Sequence, residues 1–431
     1  MARQMKDSGI EWIGEIPETW TISKNKYLLD SMYSGGTPSA SNSEFYAEAE
    51  GTPFVSISDM SATDYVLTTK KSLTPAGIAD KGLLVLPAGT VLYSIYATVG
   101  AVSELAIDAT ISQAMLALTV KQDVDKQYYK YCLFAMKDYI FGSANGNTQF
   151  NLNAEKVWNF VFPKPCTPEQ HRIAAFLDHK CAEIDAVIER TKATIEEYKK
   201  LKQAVITEAV TKGVRGERKM KDSGIVWIGE IPEGWEVRKC KHISAFINGY
   251  AFDSADLVID FRYPVIRIGD IKSGFVDFEH CQGVQWNQGL DNYKIQTNDI
   301  LLAMSGATVG KVGLATPTND SYINQRVGIL RSNCYKYLFY ALSTDFFIEY
   351  ILLKASGSAQ PNVSGIVCGN FPLPYPPDDE REEITVFLDE KCAALDTLIA
   401  KKTALLTELE TYKKSLIYEY VTGKKEVPAC P

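Results

Sequence analysis

The sequence predicts an α+β protein, with two mixed α/β domains separated by two long antiparallel coiled-coil helices in an internal pseudo-twofold repeat. Three observations predict this fold class. The sequence is repeated, β-rich stretches are separated by turns, and two long stretches are amphipathic. Residues 5–20 read MKDSGIEWIGEIPETW, and residues 220–235 read MKDSGIVWIGEIPEGW. Further matches follow in the same order, at residues 97–100 and 307–310 (both ATVG), 111–113 and 323–325, 176–178 and 387–389 (both FLD), and 210–211 and 421–422 (both VT). One plan therefore occurs twice.

The globular part of each copy alternates between strand-like and helix-like patterns. Short apolar stretches such as 82–86 (GLLVL) and 299–304 (DILLAM) are separated by Gly, Pro, Asn and Ser, which predicts strands. Residues 126–141 and 335–354 carry apolar residues at spacings of three and four, which predicts helices. Each globular part is therefore expected to be mixed α/β.

Each copy closes with a long amphipathic stretch. Residues 167–170 (TPEQ) predict a helix start with Thr167 as its cap, and apolar residues then recur near a 3.5-residue period until Gly213. The second stretch follows Pro377 and ends near Gly423. A helix of about 45 residues is about 67 Å long and cannot bury its stripe alone. We therefore expect the two helices to pair antiparallel, with the globular parts at opposite ends.

The repeat also sets the expected domain boundaries. The first globular part spans residues 1–165 and is followed by a helix at 166–215. The second globular part spans 216–376 and is followed by a helix at 377–425 and a tail at 426–431. Each globular part is long enough to bury a core of its own.

The composition excludes several classes of protein. With 431 residues, 46% of them hydrophobic and 23% charged, the chain has ordinary globular composition rather than that of a disordered or fibrous protein. The nine cysteines include no Cys-x-x-Cys pair, which argues against a zinc ribbon and a disulfide framework. No apolar run approaches the roughly 18 residues of a membrane span, and no apolar signal segment opens the chain. We therefore expect a cytoplasmic protein without membrane contact.

No pattern of catalytic, cofactor-binding or metal-binding residues stands out. Residues 306–311 (GATVGK) resemble a phosphate loop, but the glycine spacing is one residue short and Val312 stands where Ser or Thr is needed. A nuclease pattern can be fitted to Asp389 and Lys391, yet both recur as Asp178 and Lys180, so a solvated helix face is the simpler interpretation. The four histidines have no metal-like spacing. We expect no catalytic residue, no cofactor and no metal.

Polar loops at equivalent places in both halves are the candidate binding residues. Their Asn, Gln, Ser, Thr, Tyr and Gly residues can contact base edges and phosphates, although ordinary surface turns favour the same residue types. The candidate DNA-contacting residues are Ser34, Gly36, Thr37, Ser56, Ser58, Tyr93, Tyr96, Thr98, Asn147, Gln149, Asn151, Asn248, Tyr250, Arg267, Asp270, Ser305, Thr308, Lys311, Arg326, Ser358, Gln360 and Asn362.

Taken together, these motifs resemble the specificity subunits of type I restriction-modification enzymes along essentially the whole chain. The opening segments at 6–20 and 221–235 are typical of that family. So are the segment 299–310 (DILLAMSGATVG) with 323–326 (INQR), and the helix endings 206–213 (ITEAVTKG) and 418–423 (YEYVTG). The second helix opening departs from the pattern, because 379–383 (DEREE) replaces the Glu-Gln of the first, which puts the first-turn contacts there in doubt.

The resemblance implies a non-catalytic subunit that recognises double-stranded DNA. Residues 1–165 and 216–376 would be target-recognition domains, each reading one half of an asymmetric bipartite site. The helices would be spacers that also help dock two methyltransferase subunits, which in turn recruit motor and nuclease subunits. Partner subunits would supply much of the phosphate contact, since the chain has a net charge of −8. Deleting four residues near Ala193 should then shorten the spacer without changing either half-site.

Two other classes of protein stay open on the sequence. A coiled-coil adaptor with two protein- or peptide-binding modules would show the same repeat and the same helices. A self-contained methyltransferase is opposed by the missing Gly-rich loop for a methyl donor. Recovery of a methyltransferase partner in a pull-down would separate the specificity subunit from the adaptor.

Overall fold

The protein divides into two compact units that share the two long helices. The structure, a computed structural model, describes residues 3–48, 50–60, 64–142, 152–355 and 361–428. Unit 1 combines residues 1–190 with residues 405–431, and unit 2 is residues 191–404. The end of the chain therefore belongs to the same unit as its beginning.

Unit 1 is a mixed α/β fold. Its strands are β1 (Met5–Asp7), β2 (Glu15–Pro17), β3 (Thr21–Lys24), β4 (Leu29–Ser34), β5 (Tyr46–Ala47), β6 (Thr52–Val55), β7 (Tyr65–Val66), β8 (Lys71–Leu73), β9 (Val91–Ser94), β10 (Val102–Leu105), β11 (Thr110–Ile111), β12 (Met115–Val120) and β13 (Val161–Lys164). Its own helices are α1 (Ile57–Met60), α2 (Pro75–Lys81), α3 (Lys126–Gly142) and α4 (Ala154–Trp158). The first long helix, α5 (Thr167–Lys212), begins in this unit and continues into unit 2.

Unit 2 repeats this plan. Its strands are β14 (Met220–Asp222), β15 (Glu230–Pro232), β16 (Glu236–Lys239), β17 (Ala245–Asn248), β18 (Tyr263–Ile266), β19 (Gly274–Phe275), β20 (Gln282–Val284), β21 (Ile300–Ala303), β22 (Val312–Leu314), β23 (Tyr322–Ile323), β24 (Val327–Arg331) and β25 (Pro372–Tyr375). Its helices are α6 (Tyr335–Leu342), α7 (Asp345–Lys354) and α8 (Gly365–Gly369), and the second long helix is α9 (Asp378–Val421).

The corresponding strands of the two units follow the same order, and unit 1 has β5 as an additional strand in its smaller sheet. The five-stranded sheet runs β4-β12-β9-β10-β7 in unit 1 and β17-β24-β21-β22-β19 in unit 2. Beside it lies a smaller sheet, β11-β6-β8-β5 in unit 1 and β23-β18-β20 in unit 2. Both five-stranded sheets end on a parallel pair, β10 with β7 and β22 with β19. The sequence repeat is therefore a repeat of topology, and the predicted α+β fold class is confirmed.

Each unit builds its core from the sheet, the following helix and one end of each long helix. The main core of unit 1 includes Val91, Leu116, Leu133, Leu177 and Ile417, all buried. The main core of unit 2 includes Ile300, Leu338, Ile206, Ile384 and Leu388. Each fully buried aliphatic side chain of this kind contributes about 1.5–3 kcal/mol relative to an exposed one. The helices are thus part of both cores, not appendages to them.

Within each unit, the two long helices run antiparallel. In unit 1, the ring of Phe176 lies 4.6 Å from that of Tyr420, and Lys413 Nζ lies 2.7 Å from an Asp185 carboxylate oxygen. Residue numbers therefore fall along α9 as they rise along α5. In unit 2, Lys202 Nζ lies 2.7 Å from Asp396, which repeats the Lys413–Asp185 pair with the roles of the two helices exchanged.

Two predicted elements are wrong in detail. Residues 82–86 form no strand, because Gly82 ends α2 in the left-handed conformation and Leu84 and Val85 are exposed; only Leu86 bridges to Ala109. The single helix predicted at 335–354 is two helices, α6 and α7. Ser343 and Thr344 separate the two helices. The buried Thr344 hydroxyl donates to the carbonyl of Ala341 and ends the first helix.

The start of α5 is fixed by tertiary contacts rather than by a capping threonine. Thr167 lies inside the helix, and its hydroxyl donates to the carbonyl of Asp123, so its predicted capping role is wrong. The Glu169 carboxylate instead accepts from Trp20 Nε1 at 2.8 Å and from Arg3 at 2.6 Å. Gln170 is buried and donates to the carbonyl of Pro165.

The same anchor occurs at the start of α9. The Glu380 carboxylate accepts from Trp235 Nε1 at 2.7 Å and from Arg218 at 2.8 Å. Arg381 takes the place of Gln170, donating to the carbonyl of Pro376. The doubt raised by the DEREE opening is therefore resolved, since the Trp–Glu contact is kept and only the Gln-to-Arg exchange differs.

The carboxylates suspected of forming a nuclease pattern attach the globular parts to the helices. Asp178 accepts from Tyr131 Oη at 2.8 Å, and Asp389 accepts from Tyr340 Oη at 2.8 Å. Each aspartate also receives a second contact, from Gln127 and Lys336 respectively. A solvated helix face was therefore an incomplete interpretation, because both residues join α5 or α9 to the neighbouring helix of the unit.

Replacing Glu380 by alanine is expected to destabilise unit 2 by about 3 kcal/mol. The substitution removes the counter-ion of the half-buried Arg218 guanidinium, which keeps only the carbonyl of Lys212, and the acceptor of the indole N–H of the fully buried Trp235. Urea unfolding of the intact chain measures the loss. The exposed neighbour Glu382→Ala is the control; an equal loss in both variants would contradict the assigned role of Glu380.

Candidate nucleic-acid interface

Four loops of unit 1, which adjoin the ends of strands β4, β6, β9 and β11, lie close together. Gly36 N–H donates to the carbonyl of Ile111 at 3.1 Å, and Ser112 N–H donates to the carbonyl of Val55 at 3.0 Å. Ile95 N–H donates to the carbonyl of Ala114 at 2.9 Å. These bonds bring together the surface called loop edge 1, which comprises residues 34–37, 55–59, 94–99 and 111–114.

Unit 2 assembles the equivalent surface by equivalent bonds. Tyr250 N–H donates to the carbonyl of Ile323 at 3.0 Å, Asn324 N–H to Ile266 at 2.9 Å, and Met304 N–H to Arg326 at 2.9 Å. Gly306 N–H adds a bond of 3.1 Å to the carbonyl of Pro361. Loop edge 2 comprises residues 248–250, 266–270, 304–308, 323–326 and 361–363. The polar loops that the repeat singled out thus form one surface in each unit.

Close backbone approach explains a glycine at the same place in both loop edges. A β-carbon on Gly35 would lie 2.3 Å from the carbonyl oxygen of Ser112. One on Gly249 would lie 2.0 Å from the carbonyl oxygen of Asn324. Any side chain there would push the loops apart. The next loop is tightly turned as well, since Ala97 has a φ of 59° and Gly306 a φ of 72°, both in the left-handed region.

Most of the predicted residues that the structure describes present their side chains on or near these surfaces. The exposed ones are Ser34, Ser58, Tyr96, Thr98, Asn248, Arg326 and Asn362. The half-buried ones are Gly36, Thr37, Ser56, Tyr250, Arg267 and Thr308. Several are already held in place by neighbours: Thr37 Oγ1 accepts from Gln113 N–H, and Thr308 Oγ1 donates to the carbonyl of Ile268, both at 3.4 Å. Hydroxyls and amides on such a supported backbone suit hydrogen bonding to base edges.

Three residues that were predicted to contact DNA are buried in the structure. Tyr93 is fully buried, with its ring against Phe160, and burial raises the pKa of its hydroxyl. Ser305 is buried, and its backbone forms an isolated β-bridge with Asn362. Asp270 is buried too, and its carboxylate accepts from Arg267 N–H at 2.8 Å, so it shapes the turn. The polar residue types that selected them do not indicate the direction in which each side chain points.

Lys311 is bonded through its N–H to the carbonyl of Thr308 in loop edge 2, but its side chain lines a cavity that no residue of that edge lines. The cavity has a volume of about 380 Å³ and is also lined by Lys202 and Phe339. Its position follows from the antiparallel pairing of β21 and β22, which carries the chain away from the loop. The remaining predicted residues, Asn147, Gln149, Asn151, Ser358 and Gln360, lie outside the described residues.

Three residues of these surfaces were missed by the candidate list. Gln113 and Gln325 are exposed, and Asn324 is half-buried at the centre of loop edge 2. All three lie in the segments 111–113 and 323–325 that the repeat had already aligned. The recurrence of Gln113 as Gln325 was the available signal, whereas Asn324 stands opposite Ser112. Their amide groups have the same chemistry as those of the predicted Asn and Gln residues.

Each loop edge contains an aspartate whose carboxylate accepts a hydrogen bond from a backbone N–H of its own turn. Asp59 accepts from Ser56 N–H at 2.8 Å, as Asp270 does from Arg267 N–H. Burial raises the pKa of Asp270, while the Arg267 N–H and guanidinium oppose that rise. Each carboxylate is thus engaged by its own turn, whereas the guanidinium of Arg326 stays exposed. Loop edge 2 therefore offers a cation to an approaching phosphate or guanine.

Within residues 3–48, 50–60, 64–142, 152–355 and 361–428, no three His, Cys, Asp or Glu side chains are grouped as metal ligands would be. In the same part of the chain, no helix has the apolar length that a membrane crossing requires.

A family model described as the type I restriction modification DNA specificity domain matches the chain twice, at residues 17–197 and 232–410. The chain belongs to this specificity family. The two matched segments are the two copies of the repeat, each taking in a loop edge and most of a long helix. The family assignment made from the sequence motifs is confirmed.

Relatives of similar length carry the same description. The type I restriction enzyme MjaVIII specificity subunit of Methanocaldococcus jannaschii is 26% identical over 329 residues, which cover 74% of each chain. The putative MjaX specificity subunit of the same organism is 24% identical over 432 residues and covers 96% of each chain. A chain from a structural study of complex assembly and conformational transition of the type I R-M system matches with a TM-score of 0.70 at 16% identity, over 95% of this chain and 99% of that one. The last match shows the shared fold.

Proposed function

We propose that the chain directs a type I restriction-modification complex to a bipartite, asymmetric DNA site, with each loop edge reading one half. The main support for this proposal is the pair of loop edges. Their backbones are held by equivalent hydrogen bonds, but they present different side chains. Where loop edge 1 has Ser34 and Gly36, loop edge 2 has Asn248 and Tyr250. Base edges are distinguished by the donors and acceptors that face them, so different side chains on one scaffold select different sequences.

The two long helices are proposed to set the distance between the half-sites and to dock two methyltransferase subunits, which recruit the motor and nuclease subunits. Two features support a spacer role. α5 and α9 each supply residues to both units, and each is anchored at its start by a Trp–Glu contact. The chain would act in the cytoplasm as a targeting subunit without chemistry of its own, with residues 1–165 and 216–376 as its target-recognition domains.

The sequence of methylated sites in a host tests this function directly. A host carrying this chain with its methyltransferase partner should show methylated adenines in one bipartite motif, with two unlike half-sites and a spacer of fixed length. Single-molecule sequencing of genomic DNA reads the motif, and a host without this chain is the control. A palindromic motif, or one unchanged when the chain is removed, would contradict the proposal.

Replacing Arg326 by alanine is expected to weaken binding of the partner-bound complex and to reduce its salt dependence. If the exposed guanidinium meets a phosphate, the slope of log affinity against log salt falls by about 1. If it meets a guanine, discrimination at one base of one half-site falls by about 1–3 kcal/mol while the other half-site is unaffected. Fluorescence anisotropy over a salt series measures both; an Arg238→Ala variant, on strand β16 of the same unit, is the control.

A further inference from the structure

A loop beside loop edge 2 combines an exposed tryptophan with polar amides. It follows β20 and reads Gln285-Trp286-Asn287-Gln288-Gly289. Trp286 is 37% exposed, which is high for the largest apolar side chain, and Gln285 and Gln288 are exposed on either side of it. Tryptophan is enriched among the residues that contribute most of the binding energy at recognition surfaces.

Aromatic contacts hold this tryptophan against loop edge 2. The indole lies 6.3 Å from the ring of Tyr250 and 6.0 Å from the ring of the buried Phe252. Tyr250 in turn packs against Tyr293 at 5.2 Å and bridges to Asn324 in the centre of loop edge 2. The Trp286 ring is therefore placed on the same surface as the candidate reading residues, with its position fixed before any ligand arrives.

The backbone of the loop is fixed as well. Leu290 N–H donates to the carbonyl of Asn287 at 3.2 Å, and Leu290 itself is buried. Gln285 Nε2 donates to the carbonyl of Asp260 at 2.6 Å, which leaves the amide of Gln288 as the exposed polar group of the loop. Holding the loop in one conformation lowers the entropy lost on binding.

Unit 1 is built differently at this place. After β8, the counterpart of β20, its chain enters the helix α2, and the segment 74–82 carries no tryptophan; the local core there is formed by the buried Phe54, Leu73 and Leu83. The loop 285–289 is thus a feature of unit 2, as expected for a device that distinguishes one half-site from the other.

We infer that the loop 285–289 reads an A·T base pair of the half-site in the major groove. Trp286 packs its ring against the C5-methyl group of thymine, which is the apolar feature of the major groove. Gln288 offers the side-chain amide that pairs with N6 and N7 of adenine. The neighbouring loop carries the exposed Asp253, Asp256 and Asp260, which repel phosphate, so the inferred contact is to a base edge rather than to the DNA backbone. The inference rests on the proposed DNA-reading function of unit 2.

Thymine-to-uracil exchange tests the contact, since uracil lacks only the C5-methyl group. The intact complex with its methyltransferase partner is titrated with duplexes in which each thymine of the second half-site is replaced in turn. For the wild type, one replacement should weaken binding about four-fold, as expected for loss of one buried methyl group. For Trp286→Ala, binding should be about ten-fold weaker overall and that same replacement should have no further effect. Trp286→Phe should keep most of the sensitivity.

Matched measurements distinguish the possible outcomes. The salt slope should be unchanged by Trp286→Ala, in contrast to a residue that contacts phosphate. Phe275→Ala removes another exposed aromatic side chain of unit 2, one that lines the cavity of Lys311, and should alter neither affinity nor uracil sensitivity. Equal uracil sensitivity in the wild type and in Trp286→Ala, with thermal unfolding unchanged, would overturn the inference while leaving the proposed function intact. Absence of specific binding by the wild-type complex would overturn the proposed function itself.

Discussion

Exchanging residues 220–375 for the same segment of another specificity subunit is expected to replace one half of the methylated motif completely and to leave the other half unchanged. Loop edge 2 and the loop 285–289 lie wholly within this segment, whereas loop edge 1 lies wholly within unit 1. Discrimination of one base is worth about 1–3 kcal/mol, so several altered contacts shift the preferred half-site by orders of magnitude. Methylated-adenine sequencing in the host reads both halves at once.

The exchanged segment must keep its attachments to the helices. Tyr337 Oη donates to the carbonyl of Val210 at 3.2 Å, and Trp235 meets Glu380, so a donor segment needs a tyrosine and a tryptophan at these places. The control exchanges only the opening hairpin, by Val226→Glu with Gly234→Thr, which converts residues 220–235 to the sequence of residues 5–20. This control should leave the motif unaltered. A change in both half-sites after the full exchange would show that the units do not read independently.

Removing four residues from both long helices is expected to shorten the spacer by about two base pairs and to keep both half-sites. The division between units falls after Arg190 in α5 and after Ala404 in α9, so residues 191–194 and 404–407 are matched deletions. Four residues correspond to about 6 Å, or little more than one helical turn, against about 3.4 Å for each base pair. Affinity should also fall, because two base pairs rotate one half-site by about 70° about the DNA axis.

Deleting residues 191–194 alone is the informative comparison. It shifts α5 by a turn against α9, which separates Lys202 from Asp396 or Asp185 from Lys413 and misaligns the apolar stripe. This variant should lose stability and assembly, as judged by thermal unfolding and size-exclusion chromatography with the methyltransferase partner. A folded, paired double deletion whose methylated motif keeps the original spacer would show that the helices do not set the spacing.

The sequence predicted which loops lie together better than it predicted the direction of their side chains. The repeat aligned 34–37 with 248–251 and 111–113 with 323–325, and both sets of loops do meet through backbone hydrogen bonds. Tyr93 was misplaced because both faces of β9 are buried, so that no residue of this strand is exposed. Ser305 was misplaced because it follows β21 and forms a bridge with Asn362, a contact between distant parts of the chain. Trp286 was missed because it occurs in one copy only, so the comparison between copies gave no signal for it.

The sequence by itself determined the duplicated plan, the two long helices, the family and the polar loops at equivalent places in both halves. These are local properties, since an apolar stripe at a 3.5-residue period and a repeated motif are legible without knowing what they contact. Only the tertiary structure decided that the chain's last helix completes the core of its first unit, that Asp178 and Asp389 attach helices, and that Trp286 stands beside Tyr250. Each of these contacts joins residues far apart in the chain, and the partner that buries or orients a side chain is not written in its own neighbourhood.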